Sequence, residues 1–394
     1  MHPHLWSRYL PFLAVPCTVL FLLHYYAWAR LVRDTGVRQP WKTLAAVGLF
    51  VMWGMIPVTM FLSRSEPRAL GGPMVWLFFG WLGLLLFLTI LLAFGDIGKL
   101  FFVILPRIIT RKPYDPQKRR FLAAGIGGLA FLGASGLTLV GMWQASASAI
   151  RLKRVPLALK KFPKSLGPYR IVQITDLHVG PTLGRNFVEE VVSRVNALKP
   201  DLIAITGDLV DGTVDQLKDS VEPLRNLRAP DGVFFVTGNH EYYTGDVEGW
   251  LAYLSGLGVR VLRNERVTIR KSFDLAGVDD LSARGPGHGY RPDQALAGRN
   301  PKRAVVLMSH QPRGFSDAIR LGVDLQLSGH THGGQFIPFK YLVGLYQPYL
   351  AGLYQEGNSR LYVSCGTGYW GPPIRLGVPA EITQIELSQE APKG

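Results

Sequence analysis

Four long apolar runs in the first 143 residues constrain the fold of this chain more than any other feature. They cover residues 11–29, 43–62, 73–94 and 121–143. Each run is close to the roughly 20 residues that a helix needs to cross a bilayer. None shows the polar face that a helix on the surface of a soluble domain usually carries. We therefore predict an N-terminal all-α transmembrane region of about four helices over residues 1–150.

Two local features interrupt this pattern. Residues 97–109 are too short to span a bilayer and contain Pro106, so we expect an interfacial segment there. His24 and Tyr25 lie inside the first run. They fit either an intramembrane polar site or a pair near the helix end whose side chains reach the interface, and we favour the second interpretation.

The basic residues of the short loops predict the orientation of the spans. The loops after the first and third runs are rich in Lys and Arg, whereas the N-terminus offers only Arg8. Because cytoplasmic loops carry this excess, we expect a multi-pass protein of the inner (cytoplasmic) membrane with its C-terminal domain outside the cytoplasm. Lys118-Arg119-Arg120 fits either a twin-arginine export signal or an ordinary stop-transfer flank, and both send the following domain outward.

The net charge of +15 is concentrated in the N-terminal part of the chain, where the membrane helices are predicted. Residues 1–150 carry +10, residues 151–170 carry +7, and residues 171–394 carry −2. The basicity therefore suits membrane lipids as partners, and we predict no nucleic-acid partner. Cys17 and Cys365 give neither a zinc-ligand spacing nor a disulfide framework. The sequence gives no indication of the oligomeric state.

Beyond a basic linker predicted over residues 151–167, apolar strands alternate with amphipathic helices. The predicted strands are residues 169–175, 201–206, 232–237, 304–308, 324–328, 361–365 and 381–387, and the predicted helices are 186–198, 214–227, 247–257 and 314–321. This alternation predicts a layered α/β or α+β domain, over residues 168–390, with one site at the strand ends.

Five short motifs follow these strands in a fixed order. They are Asp176-Leu177-His178, Gly207-Asp208-Leu209-Val210-Asp211, Gly238-Asn239-His240-Glu241, Ser309-His310 and Gly329-His330-Thr331-His332. They contain five of the nine histidines of the chain. Two carboxylates, one amide and four imidazoles, without cysteine, form a ligand set that suits two divalent ions such as Mn, Fe, Zn or Ni.

The spacing of these residues supports a shared site. In an extended segment residues i and i+2 point to one side, so Asp176 and His178 can grip one ion, and His330 and His332 obey the same spacing. Asp208 can bridge two ions. Two such ions clamp a phosphoryl group and lower the pKa of a bridging water that attacks phosphorus. His240, beside Asn239 but not needed as a ligand, is the candidate general acid.

The stretches ITDLHVG, GDLVDG, GNHEYY, SHQP and GHTHGGQ closely resemble the calcineurin-like metallophosphoesterase superfamily over about residues 168–390. The segment Gly366-Thr367-Gly368 through Arg375 resembles the bacterial membrane-associated phosphodiesterase branch. The resemblance implies a metallophosphoesterase domain built as a layered β-sandwich flanked by helices. It implies one metal on Asp176, His178, Asp208 and His332, a second on Asp208, Asn239, His310 and His330, and His240 as the catalytic residue.

One departure from the superfamily bears on the substrate. Protein phosphatases of this superfamily place Arg directly after the second Asp of the GD motif, where this chain has Gly212 after Asp211. This departure argues against phosphoproteins. Asp211 fits either an orienting partner of His240 or a turn-capping residue.

The stretch from Phe336 to Tyr354 is rich in aromatic residues. Together with Trp370 it fits either a packed insertion or an apolar lip that dips into lipid, and we favour the packed insertion.

We therefore predict a membrane-anchored, dinuclear-metal phosphohydrolase with His240 as general acid. Its substrate is expected to be a phosphodiester or pyrophosphate in a lipid or cell-envelope molecule. A pyrophosphatase acting on a nucleotide-linked lipid such as UDP-diacylglucosamine is the alternative, and it requires a cytoplasmic site. An inactive sensor or scaffold is the alternative of another class, and the complete ligand set argues against it.

Overall fold

The computed structural model describes residues 3–65, 72–111 and 115–390. The chain divides into two compact units, residues 1–142 and 143–394. Residues 66–71 and 112–114, which fall in the second and third predicted loops, lie outside the described residues.

The described residues of the first unit are mostly helical, with a turn at residues 34–40. Its helices are α1 (Pro3–Trp28), α2 (Trp41–Ser65), α3 (Gly72–Lys99), α4 (Leu105–Thr110) and α5 (Pro116–Gln144), with π-helical turns at Ala29–Arg33 and Leu100–Ile104. Four stretches are long and apolar enough to span a membrane: Ala14–Arg33, Trp41–Met60, Pro73–Thr110 and Pro116–Gln144. The four predicted membrane helices are thus confirmed by length and composition. Residues 97–109, for which an interfacial segment is predicted, continue the third helix as far as Thr110, with Pro106 in the first turn of α4. Their position at the interface stays a prediction.

Polar side chains tie α1 to α3. Both ring nitrogens of His24 have partners, because Nδ1 lies 2.7 Å from Leu20 O and Nε2 accepts from Trp81 Nε1 at 3.0 Å. His24 is buried, so the interpretation of a side chain reaching out to the interface is wrong for this residue. Asp96 accepts from Tyr26 at 2.6 Å and from Arg30 at 2.7 Å.

The second unit contains two six-stranded mixed sheets. The first has the order β1 (Arg151–Leu159), β12 (Glu381–Gln389), β2 (Tyr169–Ile174), β3 (Leu202–Ile205), β4 (Val233–Phe235) and β5 (Arg260–Val261). The second has the order β10 (Gly352–Glu356), β11 (Ser359–Val363), β9 (Leu325–Ser328), β8 (Val305–Met308), β7 (Phe273–Gly277) and β6 (Glu265–Ile269). The neighbours β2, β3 and β4 are parallel, as are β7, β8 and β9, so two sets of carboxyl strand ends are available for a site.

The two sheets pack face to face over one apolar core. Along β3, Leu202 and Ala204 face the opposite sheet, whereas Ile203 and Ile205 face the helices on the outside, as the two-residue period of a strand requires. The helices of this unit are α6 (Arg185–Ala197), α7 (Val214–Val221), α8 (Asn239–Tyr243), α9 (Val247–Gly256), α10 (Pro292–Leu296), α11 (Phe315–Arg320) and α12 (Phe339–Tyr346). The predicted fold, membrane helices followed by a layered α/β sandwich, is confirmed.

The segment predicted as a basic linker is structured. Residues 151–159 form β1, which pairs in parallel with β12 at the edge of the first sheet. Its basic residues Arg151, Lys153 and Arg154 are exposed, whereas Val155, Leu157 and Leu159 are buried. Pro156 is tolerated because an edge strand needs fewer backbone donors than a central one.

Candidate metal centre

The five motifs converge at the carboxyl ends of strands from both sheets. Asp176, Asp208 and Asn239 follow β2, β3 and β4, whereas His310 follows β8 and His330 follows β9. Backbone bonds join the first two loops, since Asp176 N donates to Gly207 O at 3.0 Å and His178 N donates to Asp208 O at 3.1 Å. The site therefore lies across the ends of both layers of the sandwich.

The backbone of the site is left-handed at most of the predicted ligands. Asp176, His178, Asp208, His330 and His332 have φ values between 48° and 71°. Non-glycine residues adopt this region rarely, and they do so at a cost that the surroundings must offset. The predicted extended backbone is therefore wrong at these positions, because tight left-handed turns aim the side chains.

The turns bring the predicted ligands into overlapping groups. Asp176, His178 and His332 offer atoms that lie within 4.8 Å of one another, and so do Asp208, His310 and His330. A third group within the same limit contains His178, Asp208 and His240. Asp208 therefore lies between two clusters, as a bridging ligand would.

Two buried atoms of the second cluster fit a cation. The Nδ1 atom of His310 donates to the Thr206 carbonyl at 2.8 Å, so in the neutral ring Nε2 carries a lone pair. That Nε2 lies 3.1 Å from Asp208 Oδ2 and makes no hydrogen bond. The buried Asn239 Oδ1 likewise accepts no hydrogen bond. Acceptor atoms without donors in a buried cluster of carboxylates and imidazoles suit a divalent ion.

The charges of the cluster divide its imidazoles into two groups. Burial alone would raise the pKa of Asp208, but nearby imidazoles, with His310 first among them, hold it well below its ordinary value. Burial and the charge of His310 lower the pKa of His330 to about 3, and burial lowers that of His332 well below its ordinary value. Despite their burial, the nearby carboxylates of Asp208 and Asp211 raise the pKa of His310 well above its ordinary value and that of His178 to about 9. These two rings must therefore lose a proton when an ion binds.

Asp211 orients two of the histidines. Its Oδ1 lies 2.9 Å from His178 Nδ1 and 2.6 Å from His240 Nδ1. Because the carboxylate only accepts, both rings carry their proton on Nδ1 and leave Nε2 free for other partners. Asp211 is therefore the orienting partner of His240, and the turn-capping alternative does not describe its side chain.

Glu241 lies in the third motif, but the sequence did not predict a role for it. Its fully buried carboxylate accepts from the backbone N–H groups of Gly238 at 2.6 Å, Leu209 at 2.7 Å and Asp208 at 3.1 Å. These bonds lock the loop of Asp208 to the start of α8. Burial and the nearby Asp208 raise the pKa of Glu241 to about 7, since they outweigh the three N–H donors.

Arg375 is a second residue whose role the sequence did not reveal. It is fully buried and donates to three carbonyls, those of Cys365 at 2.7 Å, His332 at 3.1 Å and Gly368. Its Nη2 also lies 3.0 Å from His332 Nδ1. Burial lowers its pKa to about 10. The guanidinium thus joins the loop of His332 to the chain segment that precedes β12.

Two glycines of the motifs are required because a side chain at their positions would clash with a predicted ligand. A Cβ at Gly238 would lie 2.2 Å from Asp208 Oδ1, and one at Gly329 would lie 2.1 Å from Asp176 Oδ2. Real Cβ atoms do not approach so closely, so a side chain at either position would displace a predicted ligand. This explains why Gly precedes Asn239 and His330 in the motifs.

Comparison with known proteins agrees with this site. The family described as calcineurin-like phosphoesterase matches residues 169–334. A Danio rerio transmembrane protein with metallophosphoesterase domain is 34% identical and covers 94% of this chain and 88% of the relative. A Bos taurus protein of the same name is 42% identical over 67% of this chain and 62% of the relative. An uncharacterized Helicobacter pylori metallophosphoesterase is 42% identical over 60% of this chain and 64% of the relative.

The chain belongs to the calcineurin-like metallophosphoesterase family. It is a metal-dependent phosphoesterase with four candidate membrane helices, and relatives of it are named transmembrane proteins. The family resemblance inferred from the five motifs is confirmed. The assignment of individual residues to each metal stays a prediction that the geometry supports.

Proposed function

We propose that the two clusters hold two divalent ions and hydrolyse phosphodiester or pyrophosphate bonds in a lipid or cell-envelope substrate. The observation that carries the preference for such bonds is Gly212. A Cβ there would lie 2.7 Å from Gln216 Oε1 and 3.0 Å from Leu217 Cδ1, so an Arg at this position would require both of these side chains to move. Without that bidentate donor, the site is poorly equipped for the dianionic phosphate of a phosphoprotein. A diester carries less charge at phosphorus and depends less on the missing donor.

The metal ligands follow from the clusters. Asp176, His178 and His332 would hold one ion with Asp208, and Asp208 would share the second with Asn239, His310 and His330. The ions would polarise the phosphoryl oxygens and activate a water as nucleophile. His-rich ligation without cysteine suits Mn, Fe, Zn or Ni.

His240 supplies the proton for the leaving oxygen. Asp211 fixes its tautomer with the proton on Nδ1, so Nε2 is the atom that takes up a proton and delivers it. The side chain is 12% exposed, which places it at the mouth of the site. The rings of Tyr243 and Trp370 lie 5.4 Å and 6.3 Å from the His240 ring, and both are exposed. A leaving group that meets His240 therefore also meets an aromatic rim, which suits a lipid-linked substrate.

The substrate proposal is tested with the full-length chain under Mn²⁺. Hydrolysis of a bis(aryl) phosphodiester, an aryl phosphomonoester and a phosphopeptide is compared at equal concentrations, followed by lipid phosphodiesters and nucleotide-linked lipids. We expect the diester to be cleaved fastest among the first three. A clear preference for the phosphopeptide would contradict the proposal.

We further propose that the catalytic domain lies outside the cytoplasm, at the inner membrane. The basic first and third loops support this orientation. The exposed basic residues of β1 favour the opposite one, since they suit an anionic cytoplasmic leaflet. A C-terminal reporter that fluoresces only in the cytoplasm should stay dark. A bright signal would favour the alternative substrate, a nucleotide-linked lipid such as UDP-diacylglucosamine.

A further inference from the structure

An apolar helix with no buried residue stands beside the metal centre. The helix α12 starts five residues after Gly334, which closes the turn that begins at His332. Its exposed side chains include Leu345 and Tyr346, which are 76% and 75% exposed. The aromatic stretch is expected to be a packed insertion. Phe336, Tyr349 and Tyr354 do pack against the domain, but no residue of α12 is buried. Soluble surfaces rarely leave such a row of large apolar side chains uncovered.

We propose that α12 and Trp370 form an apolar lip that docks on the surface of the lipid bilayer. The lip consists of Phe339, Tyr341, Leu342, Leu345, Tyr346 and Trp370, all of which are exposed. Tyr341 and Leu345 are four residues apart, as are Leu342 and Tyr346, so these two pairs present one broad face. Apolar side chains with Tyr and Trp among them are the composition of helices that lie in the interfacial layer.

The charges around the lip favour lipid over other occupants. Residues 325–355 contain no Asp or Glu and one basic side chain outside the histidines, Lys340. Such a surface meets an anionic bilayer without repulsion. The membrane helices of the same chain also keep a bilayer within reach at a high effective concentration, whereas a protein partner would have to be recruited from solution.

Bonds between the lip and the site make its docking relevant to catalysis. Gln335 holds the backbone of Trp370 on both sides, because its Oε1 accepts from Trp370 N at 3.0 Å and its Nε2 donates to Trp370 O at 2.9 Å. Arg313 donates to Tyr346 O at 2.9 Å. The lip is thus fixed to the loops that carry His310 and His332. A docked lip would place the mouth of the site at the level of lipid headgroups.

Depth-dependent quenching tests the docking without any substrate. The full-length chain with Cys17→Ala and Leu345→Cys is labelled with an environment-sensitive fluorophore and placed in nanodiscs of phosphatidylcholine and phosphatidylglycerol. Ala252→Cys on the exposed side of α9 is the matched control, and Cys365 is present in both proteins. We expect a nitroxide at acyl carbon 5 to quench the label at 345 at least about twofold more than the label at 252.

A charge placed on the lip provides the second measurement. In the labelled Leu345→Cys protein, Leu342→Glu should reduce the quenching to the level of the control, whereas Leu342→Met should preserve it. Equal quenching at 345 and 252 would overturn the proposal. A label at 345 that is shielded from water but not quenched by the lipid nitroxide would also overturn it, in favour of a second copy or another protein. Because no hydrolysis is measured, these outcomes are independent of the proposed substrate.

Discussion

The buried indole of Trp250 offers a quantitative test of how the catalytic domain holds Asp211. Trp250 lies on α9, is fully buried, and donates from Nε1 to Gly212 O at 2.8 Å. Gly212 is the neighbour of Asp211, which orients His178 and His240. Trp250→Phe removes the donor and the second ring while it keeps an aromatic side chain in the core.

The expected destabilisation has two parts. A buried carbonyl that loses its donor costs about 1–3 kcal/mol. The smaller ring leaves a void, which adds roughly 1 kcal/mol at about 24 cal/mol per Å³ of cavity. Together they amount to about 3 kcal/mol. For a domain of this size, each kcal/mol lowers Tm by roughly 2–4 °C, so we expect a decrease of about 6–12 °C.

Tyr253→Phe on the same helix is the matched control. Its hydroxyl also donates to a backbone carbonyl, that of Lys218 at 2.8 Å, but this bond is exposed. Water replaces a lost exposed partner, so we expect a change within about 0.5 kcal/mol. The transition of the catalytic domain is followed by calorimetry of the full-length chain at fixed metal concentration. If Trp250→Phe and Tyr253→Phe lowered Tm equally, burial of the hydrogen bond could not be the cause of the destabilisation.

Three further predictions concern the site itself. Elemental analysis should find two ions per chain, and Asp208→Asn should lose activity together with metal; one ion or none in active protein would contradict the dinuclear site. His240→Ala should keep both ions but lose about 10²–10⁴-fold in kcat, most severely for poor leaving groups; loss of metal would instead make His240 a ligand. Arg375→Met should weaken metal binding by about 10–100-fold, as changes behind a ligand do, and Arg375→Lys should restore part of it. An unchanged metal affinity in Arg375→Met would remove Arg375 from the support of His332.

The sequence was informative where the chemistry is local. The strand predicted at residues 169–175 is β2, because a short apolar run followed by a polar motif marks a buried strand end. The helix predicted at 314–321 is α11. The helix predicted at 214–227 is shorter. α7 ends at Val221 and a 3₁₀ turn follows, since Pro223 removes a backbone donor.

Two of the strands that the sequence did not predict, β1 and β7, have an unusual composition. β1 is basic and contains Pro156, and only its pairing with β12, more than 200 residues away, makes it a strand. β7 carries Asp274, a buried acid whose Oδ1 accepts from Thr268 Oγ1 of β6 at 2.7 Å. Neither strand shows the polar and apolar alternation of a half-buried strand over its full length, so the local pattern did not reveal them.

Local motifs predicted the metal ligands, but they did not predict the residues that hold the ligand loops in place, because those residues act between distant segments of the chain. Five predicted ligands occupy the left-handed region, where each non-glycine residue costs about 1–2 kcal/mol, so the turns together carry a strain of the order of the stability of a whole domain. Such turns persist only if other groups fix their backbone. Glu241 accepts from three backbone N–H groups and Arg375 donates to three backbone carbonyls, and these bonds tie together loops that are far apart in sequence. We infer that these two buried charges hold the turns in place before any metal binds. The ligand side chains are then already aimed, and the energy of metal binding is not consumed in bending the chain.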